Sequence, residues 1–394
     1  MKNSSELPFP SPSALPKTLA VAGRVLAFAT ILFLGMLFPG CRQSPGKERE
    51  AAQTSAAADS LPGWALLPFV KVDSVNPVLL PDSSTSFRCP VWKKTIRWEA
   101  RDVYNPAALV RNGKIYMIYR AEDTVKAVNG TSRLGLAEST DGLHFKRLPQ
   151  PVFYPANDAM KPYEWMGGCE DPRVVEDSSG TYLMTYTAYD GKTARLCVAS
   201  SRDLKTWKKH GLAFKEPKHV NMWSKSGSIV CQLTGDRMVA VRINGKYWMY
   251  WGENGLLATS GNLTDWQFVA DGKGNPKAVI PKREGQPLFD NGLVEPGPPA
   301  LLTDKGILLI YNGASMNKTG SVEMYSGGQV LLDRNDPARI IARLDKPFIK
   351  PEKNYELTGQ VNKVTFVEGL VHFKDKWFIY YGTADSKIAV AVRQ

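Results

Sequence analysis

One phrase recurs five times along this chain, and it restricts the fold more than any other feature. Each copy is a turn bearing Gly or Lys, then alternating aromatic and aliphatic residues ending in tyrosine. The copies are Gly113-Lys114-Ile115-Tyr116-Met117-Ile118-Tyr119, Gly180-Thr181-Tyr182-Leu183-Met184-Thr185-Tyr186 and Gly245-Lys246-Tyr247-Trp248-Met249-Tyr250, then Gly306-Ile307-Leu308-Leu309-Ile310-Tyr311 and Asp375-Lys376-Trp377-Phe378-Ile379-Tyr380. Their terminal tyrosines are 67, 64, 61 and 69 residues apart. Alternation is the signature of a strand, and a near-constant spacing is that of a tandem structural unit.

A second phrase follows the first in three copies: Ser139-x-Asp141-x-x-x-Phe145, Ser201-x-Asp203-x-x-x-Trp207 and Ser260-x-Asn262-x-x-x-Trp266. Ser-x-Asp favours a turn that ends one strand, and the aromatic opens the next. Each unit then supplies about four strands, as a propeller blade does. The expected fold is all-β, a five-bladed β-propeller. Its units exceed the roughly 40–50 residues of common blades, so long loops must be inserted. A β-sandwich would require five coincidences of pattern.

The first sixty residues stand outside this repeat. Lys17 and Arg24 precede an apolar run from Val25 to Phe38, which suits a signal-peptide core and is short for a membrane span. Pro39-Gly40-Cys41 then resembles a bacterial lipobox. Residues 1–41 are therefore expected to be a lipoprotein signal peptide with Cys41 lipidated, 42–62 a flexible tether, and 63–394 the propeller domain. A plain signal peptide or an uncleaved anchor is the alternative. The expected location is the cell envelope, periplasmic or outer-membrane associated, with membrane contact only through the lipid.

The net charge of +12 would suit an acidic partner, but Lys and Arg are scattered, with no run of four and no nucleic-acid motif. No nucleic-acid partner is expected. Cys89, Cys169, Cys197 and Cys231 lack metal-type spacing, as do the four histidines. Neither a metal site nor a cofactor is expected.

The loop richest in chemistry is Gly167-Gly168-Cys169-Glu170-Asp171-Pro172-Arg173-Val174. Adjacent carboxylates beside an arginine can shift a carboxyl pKa either way. The same residues also suit a structural turn. With the Tyr186-Thr187-Ala188-Tyr189 strand that follows, this Gly-x-Glu-Asp-Pro-Arg loop resembles glycoside hydrolase family 130. The resemblance runs from about Asn105-Pro106 to Val392 and takes in Tyr119-Arg120-Ala121, Ser132-Arg133-Leu134-Gly135, Ser224-Lys225, Gly297-Pro298-Pro299 and Tyr380-Tyr381-Gly382-Thr383-Ala384-Asp385. It implies a five-bladed propeller that acts on β-linked manno-oligosaccharides. Asp171 matches the general acid, which passes its proton through a sugar hydroxyl. Arg120, Arg133, Lys225 and Asp385 match residues that hold the mannose, and Asn105 and Glu170 are assigned to substrate binding with them.

The resemblance covers both phosphorylases and hydrolases. Trp251-Gly252-Glu253 stands where phosphorylases carry a basic residue, and Tyr311-Asn312-Gly313 replaces their Tyr-His-Gly. Glu253 and Glu295 resemble the glutamate pair of the family's hydrolases. Carboxylates repel a phosphate dianion and suit the activation of water. The expected activity is hydrolysis with inversion, with Glu368 as a third candidate for the carboxylate that activates water or, alternatively, a residue that binds a second sugar. The alternatives are a mannoside phosphorylase and a non-catalytic glycan-binding lipoprotein.

Overall fold

The computed structural model describes residues 61–125 and 130–394. Cys41, the expected leader and all but the end of the expected tether lie outside these residues. The described chain is nearly all β, with two four-residue helices, Lys161–Glu164 and Asn354–Leu357. Each copy of the tyrosine phrase forms the second strand of an antiparallel meander. The first meander runs Asp102–Arg111, Lys114–Glu122, Ser132–Ser139 and Lys146–Arg147. The second runs Gly168–Glu176, Tyr182–Tyr189, Ala194–Ser201 and Lys208–Leu212. The third is built on Ser228–Thr234, Lys246–Trp251, Leu256–Ser260 and Trp266–Phe268. The fourth has a divided first strand, Leu293–Pro296 and Ala300–Leu302, then Ile307–Met316, Val322–Leu332 and Ile340–Arg343.

The fifth meander contains Thr365–Phe373, Lys376–Thr383 and Lys387–Arg393. Its fourth strand comes from the other end of the described chain, where Val70–Lys71 pairs with Ala391 and Val392. Lys71 secures this closure by donating to Glu356 Oε2 at 2.7 Å, while Tyr381 donates to the other oxygen of that carboxylate at 2.9 Å.

The phrase ends in tyrosine because each ring is buried in an apolar cluster while its hydroxyl finds an acceptor. Tyr119, Tyr186 and Tyr311 donate to the buried carboxylates Glu99, Glu164 and Asp290 at 2.7–2.8 Å. Each of these carboxylates is also paired with a cation, Arg147, Lys209 and Arg343 respectively. Tyr250 and Tyr380 donate instead to the carbonyls of Pro337 and Gly142 at 2.8 Å.

The second phrase is a double side-chain turn. Ser139, Ser201 and Ser260 accept the backbone N–H three residues on, and Asp141, Asp203 and Asn262 accept the next two. The closing aromatics pack across meanders, as Phe145 does edge-on against Tyr380 of the fifth at 5.5 Å.

Apolar clusters join the meanders face to face. Ile118 and Leu136 meet Met184 and Tyr186, Leu183 and Val198 meet Met249 and Trp251, and Leu257 and Tyr250 meet Leu309 and Val330. Leu308 and Ile310 meet Leu370 and Ile379, and Phe378 and Tyr380 of the fifth pack with Ile115 and Met117 of the first. Burial of such a side chain contributes about 1.5–3 kcal/mol. Cys89, Cys169, Cys197 and Cys231 are buried free thiols.

Where the first strands approach one another there is no room for side chains. A Cβ on Gly297 would lie 2.7 Å from Val367 O, and one on Gly369 would lie 2.9 Å from Pro106 O. The same strands are interrupted at that level. Register slips at Tyr104/Pro106, at Glu170/Arg173 and at Val367/Gly369, and two extra residues separate Pro296 from Leu301 relative to their partners. Bulges re-aim side chains. Those left out of the ladder are Asn105, Asp171 with Pro172, and Glu368.

Candidate active site

Asn105 and Asp171 both adopt a left-handed backbone, each with φ of 47°. That conformation is uncommon outside glycine and least costly for Asn and Asp. It points the two side chains at each other, and Asn105 Nδ2 donates to Asp171 Oδ1 at 2.9 Å. Arg120 Nη1 donates to the same oxygen at 3.0 Å, while its Nη2 reaches Glu170 at 2.9 Å and Glu122 at 2.8 Å. Ser132 accepts from Arg120 Nε, and the Tyr104 ring lies 4.7 Å from the guanidinium carbon.

Arg120 and Asp171 line a cavity of about 320 Å³ together with Asn105, Lys225, Glu253, Glu295 and Asp385. Seven of the ten residues singled out from sequence for catalysis or substrate binding thus share one space. Tyr104, Tyr325 and Phe366 supply its aromatic surface. Trp223, two residues before Lys225, is half exposed and does not line it. Lys225 Nζ lies 2.7 Å from Glu295 Oε2, and Ser226, whose φ is 57°, donates to the other oxygen. Glu253, in the turn after Lys246–Trp251, is exposed, and among the described residues it has neither an ion pair nor a hydrogen bond from its side chain.

Three expected residues sit elsewhere. Arg133 does not reach the cavity. Ser132 turns toward Arg120, so its neighbour in the strand faces the opposite side of the sheet. There Arg133 is fully buried against Asp123 at 2.5 Å and over the Phe87 ring. Glu368 is buried beneath the cavity, where it accepts from Arg173 Nη2 at 2.9 Å and leaves Oε2 without a partner. It is not positioned to bind a second sugar. Glu170 lies beside Asp171 and shares Arg120 with it, one layer behind the lining.

Arg173 was read from sequence only as a neighbour of the carboxylates, yet it ties three meanders together. Its donors reach the Asp171, Pro296 and Gly297 carbonyls and Glu368, all at 2.8–3.0 Å. Its place in the Asp-Pro-Arg bulge was the available signal. Asn312, in the phosphorylase-type histidine position, is buried and holds Val367 by both its amide groups, at 2.7 and 3.0 Å. Tyr104, Tyr325, Phe366 and Gln360 line the cavity without a sequence signal beyond their aromatic or amide character.

The carboxyl groups differ in proton affinity. Burial raises Glu170 to about 7, against the pull of Arg120 and with the push of Asp171. Asp171 is also opposed by burial, but Arg120, Arg173 and Asn105 hold it below the usual carboxylate range. Burial also raises Asp385 to about 7, with Arg120 opposing and Asp171 and Glu122 adding to the rise. Lys225 is held well above the usual lysine range; burial works against this, and Glu295, Asp171 and Glu253 outweigh it.

Carboxylate acceptors, guanidinium and amide donors and ring faces in one cavity suit a ligand rich in hydroxyl groups. The chain belongs to glycoside hydrolase family 130, whose sequence model, described as β-1,4-mannooligosaccharide phosphorylase, matches residues 80–394. It is 33% identical to a 1,2-β-oligomannan phosphorylase of Thermoanaerobacter sp. (strain X514), over 81% of this chain and 95% of that one. A glycosyl hydrolase structure from Bacteroides ovatus is 46% identical with a TM-score of 0.81, covering 85% of this chain and 95% of its own. Another structure is described under the family's glycoside hydrolases that target β-1,2 mannosidic linkages in Candida mannan. It is 44% identical with a TM-score of 0.81, covering 85% of this chain and 96% of its own.

Proposed function

We propose that this protein is an inverting glycoside hydrolase of β-mannosides, most readily β-1,2-linked manno-oligosaccharides, built as a five-bladed β-propeller over residues 63–394. The five meanders are its blades, and Val70–Lys71 closes the ring. Asp171 is the general acid. Arg120, Arg173 and Asn105 favour its ionised form, so it takes a proton from solvent as substrate binds and passes that proton through an intervening sugar hydroxyl to the glycosidic oxygen. Arg120, Asn105 and Asp385 hold the sugar beside it. Glu253 and Glu295 activate water on the opposite face of the ring, as inversion requires.

One observation carries the choice of water over phosphate. The two cations lining the cavity, Arg120 and Lys225, are already paired with Glu122, Glu170, Asp171 and Glu295. Four carboxylates line the same space. A phosphate dianion would meet no uncommitted positive charge there, whereas it needs several charge-assisted donors. Phosphorylase relatives make the second reading specific, and one experiment separates the two. β-1,2-Mannobiose is incubated with and without phosphate, and the products are resolved. Mannose at an equal rate in both supports hydrolysis; mannose 1-phosphate formed only with phosphate overturns it. We also propose, from the sequence alone, that the enzyme is an envelope lipoprotein attached through Cys41.

A further inference from the structure

A second cavity of about 510 Å³ adjoins the first, and the two share Tyr325 and Val361 as a common wall. At about 320 Å³ the catalytic cavity is near the lower end of ligand sites, which begin at about 300 Å³. A longer chain of sugars must continue beyond it. Tyr325 is partly exposed and its backbone is anchored: its N–H donates to Lys363 O at 3.0 Å, its carbonyl accepts from Thr365 at 3.2 Å, and its ring lies 6.3 Å from that of Phe366. An aromatic ring between two cavities offers a stacking face to a sugar passing from one to the other. Across it, Glu323, Asn362 and Lys363 offer acceptors and donors, while Val322 and Val361 are 44% and 38% exposed beside them. Polar groups with apolar patches between them match the hydroxyls and C–H faces of a saccharide.

We infer that this second cavity is an extension of the substrate site that takes further sugar units of an oligosaccharide, with Tyr325 as the stacking residue at the junction. The inference rests on the mannoside reading above. It makes the enzyme selective for chains longer than a disaccharide.

The test compares kcat/KM on β-1,2-linked mannobiose, mannotriose and mannotetraose for the wild type and for a Glu323→Ala/Asn362→Ala variant. The wild type should gain about tenfold with chain length, the scale of one or two good contacts. The variant should keep the disaccharide value and lose most of the gain. Equal values at all lengths in the wild type, or a gain that survives in the variant, overturns the inference. If no substrate turns over, calorimetry on the Asp171→Asn protein decides. Tighter binding of the tetraose than the biose, lost on adding the two alanines, supports the second cavity and defeats only the proposed reaction. Equal binding overturns the extension, and binding of neither overturns it along with the substrate class.

Discussion

Lys225 sits 2.7 Å from Glu295, and this pairing sets what each can do in the cavity. The lysine and Ser226 between them occupy both oxygens of a carboxylate that is almost wholly buried. Replacing Lys225 by Met leaves that carboxylate buried without its cation and should cost about 3–5 kcal/mol of stability. A denaturant titration measures this. A variant as stable as the wild type rejects the pairing.

Asp171→Asn is the direct probe of the acid. Asn tolerates the left-handed backbone at this position and can still accept from Arg120, so the fold should stand. Turnover should fall about 100- to 10,000-fold, the usual worth of a positioned proton donor. Steady-state rates and a thermal melt together check it, and a fully active variant removes Asp171 from the role.

Glu170 links the site to stability. Its folded value of about 7 lies above the ordinary 4.5. Below about 4.5 both states hold the proton and its contribution is complete. Between there and about 7 only the folded state keeps it, so stability falls as pH rises through this window. The Tm difference between Glu170→Gln and wild type should therefore be more favourable to the variant at pH 8 than at pH 4.5. A difference that does not change with pH rejects the argument.

Arg173 and Glu368 should respond unequally to substitution. Arg173→Met leaves Glu368 and three carbonyls buried without their donor and should cost about 3–5 kcal/mol in a denaturant titration. Burial pushes the Glu368 carboxyl well above the usual carboxylate range, against the pull of Arg173, and a glutamine there can still accept from that arginine. Glu368→Gln should change stability far less than the Arg173 substitution does.

Some of this was legible in the sequence because period and turn chemistry are local properties. The tyrosine phrase lies on one strand of each meander, and the Ser-x-Asp turns make the bonds their side chains suggest. What escaped was set by neighbours distant in sequence. Arg133 looked like a sugar ligand, but a single step in the alternation sends Ser132 to the site and Arg133 away. Glu368 falls in a bulge, and its partner Arg173 is 195 residues earlier. The closing strand is only two residues long, too short for any period to announce.

That closing strand brings two segments from opposite ends of the described chain side by side. The seam between Val70–Lys71 and Lys387–Arg393 is an ordinary antiparallel ladder. A circular permutant that joins the two sides of this seam and opens the exposed turn at Gly235-Asp236 would move the seam to the third meander, between Ser228–Thr234 and the strands that follow it. In such a molecule the last sheet would be covalently continuous, and its registry would no longer depend on capturing a segment distant in sequence.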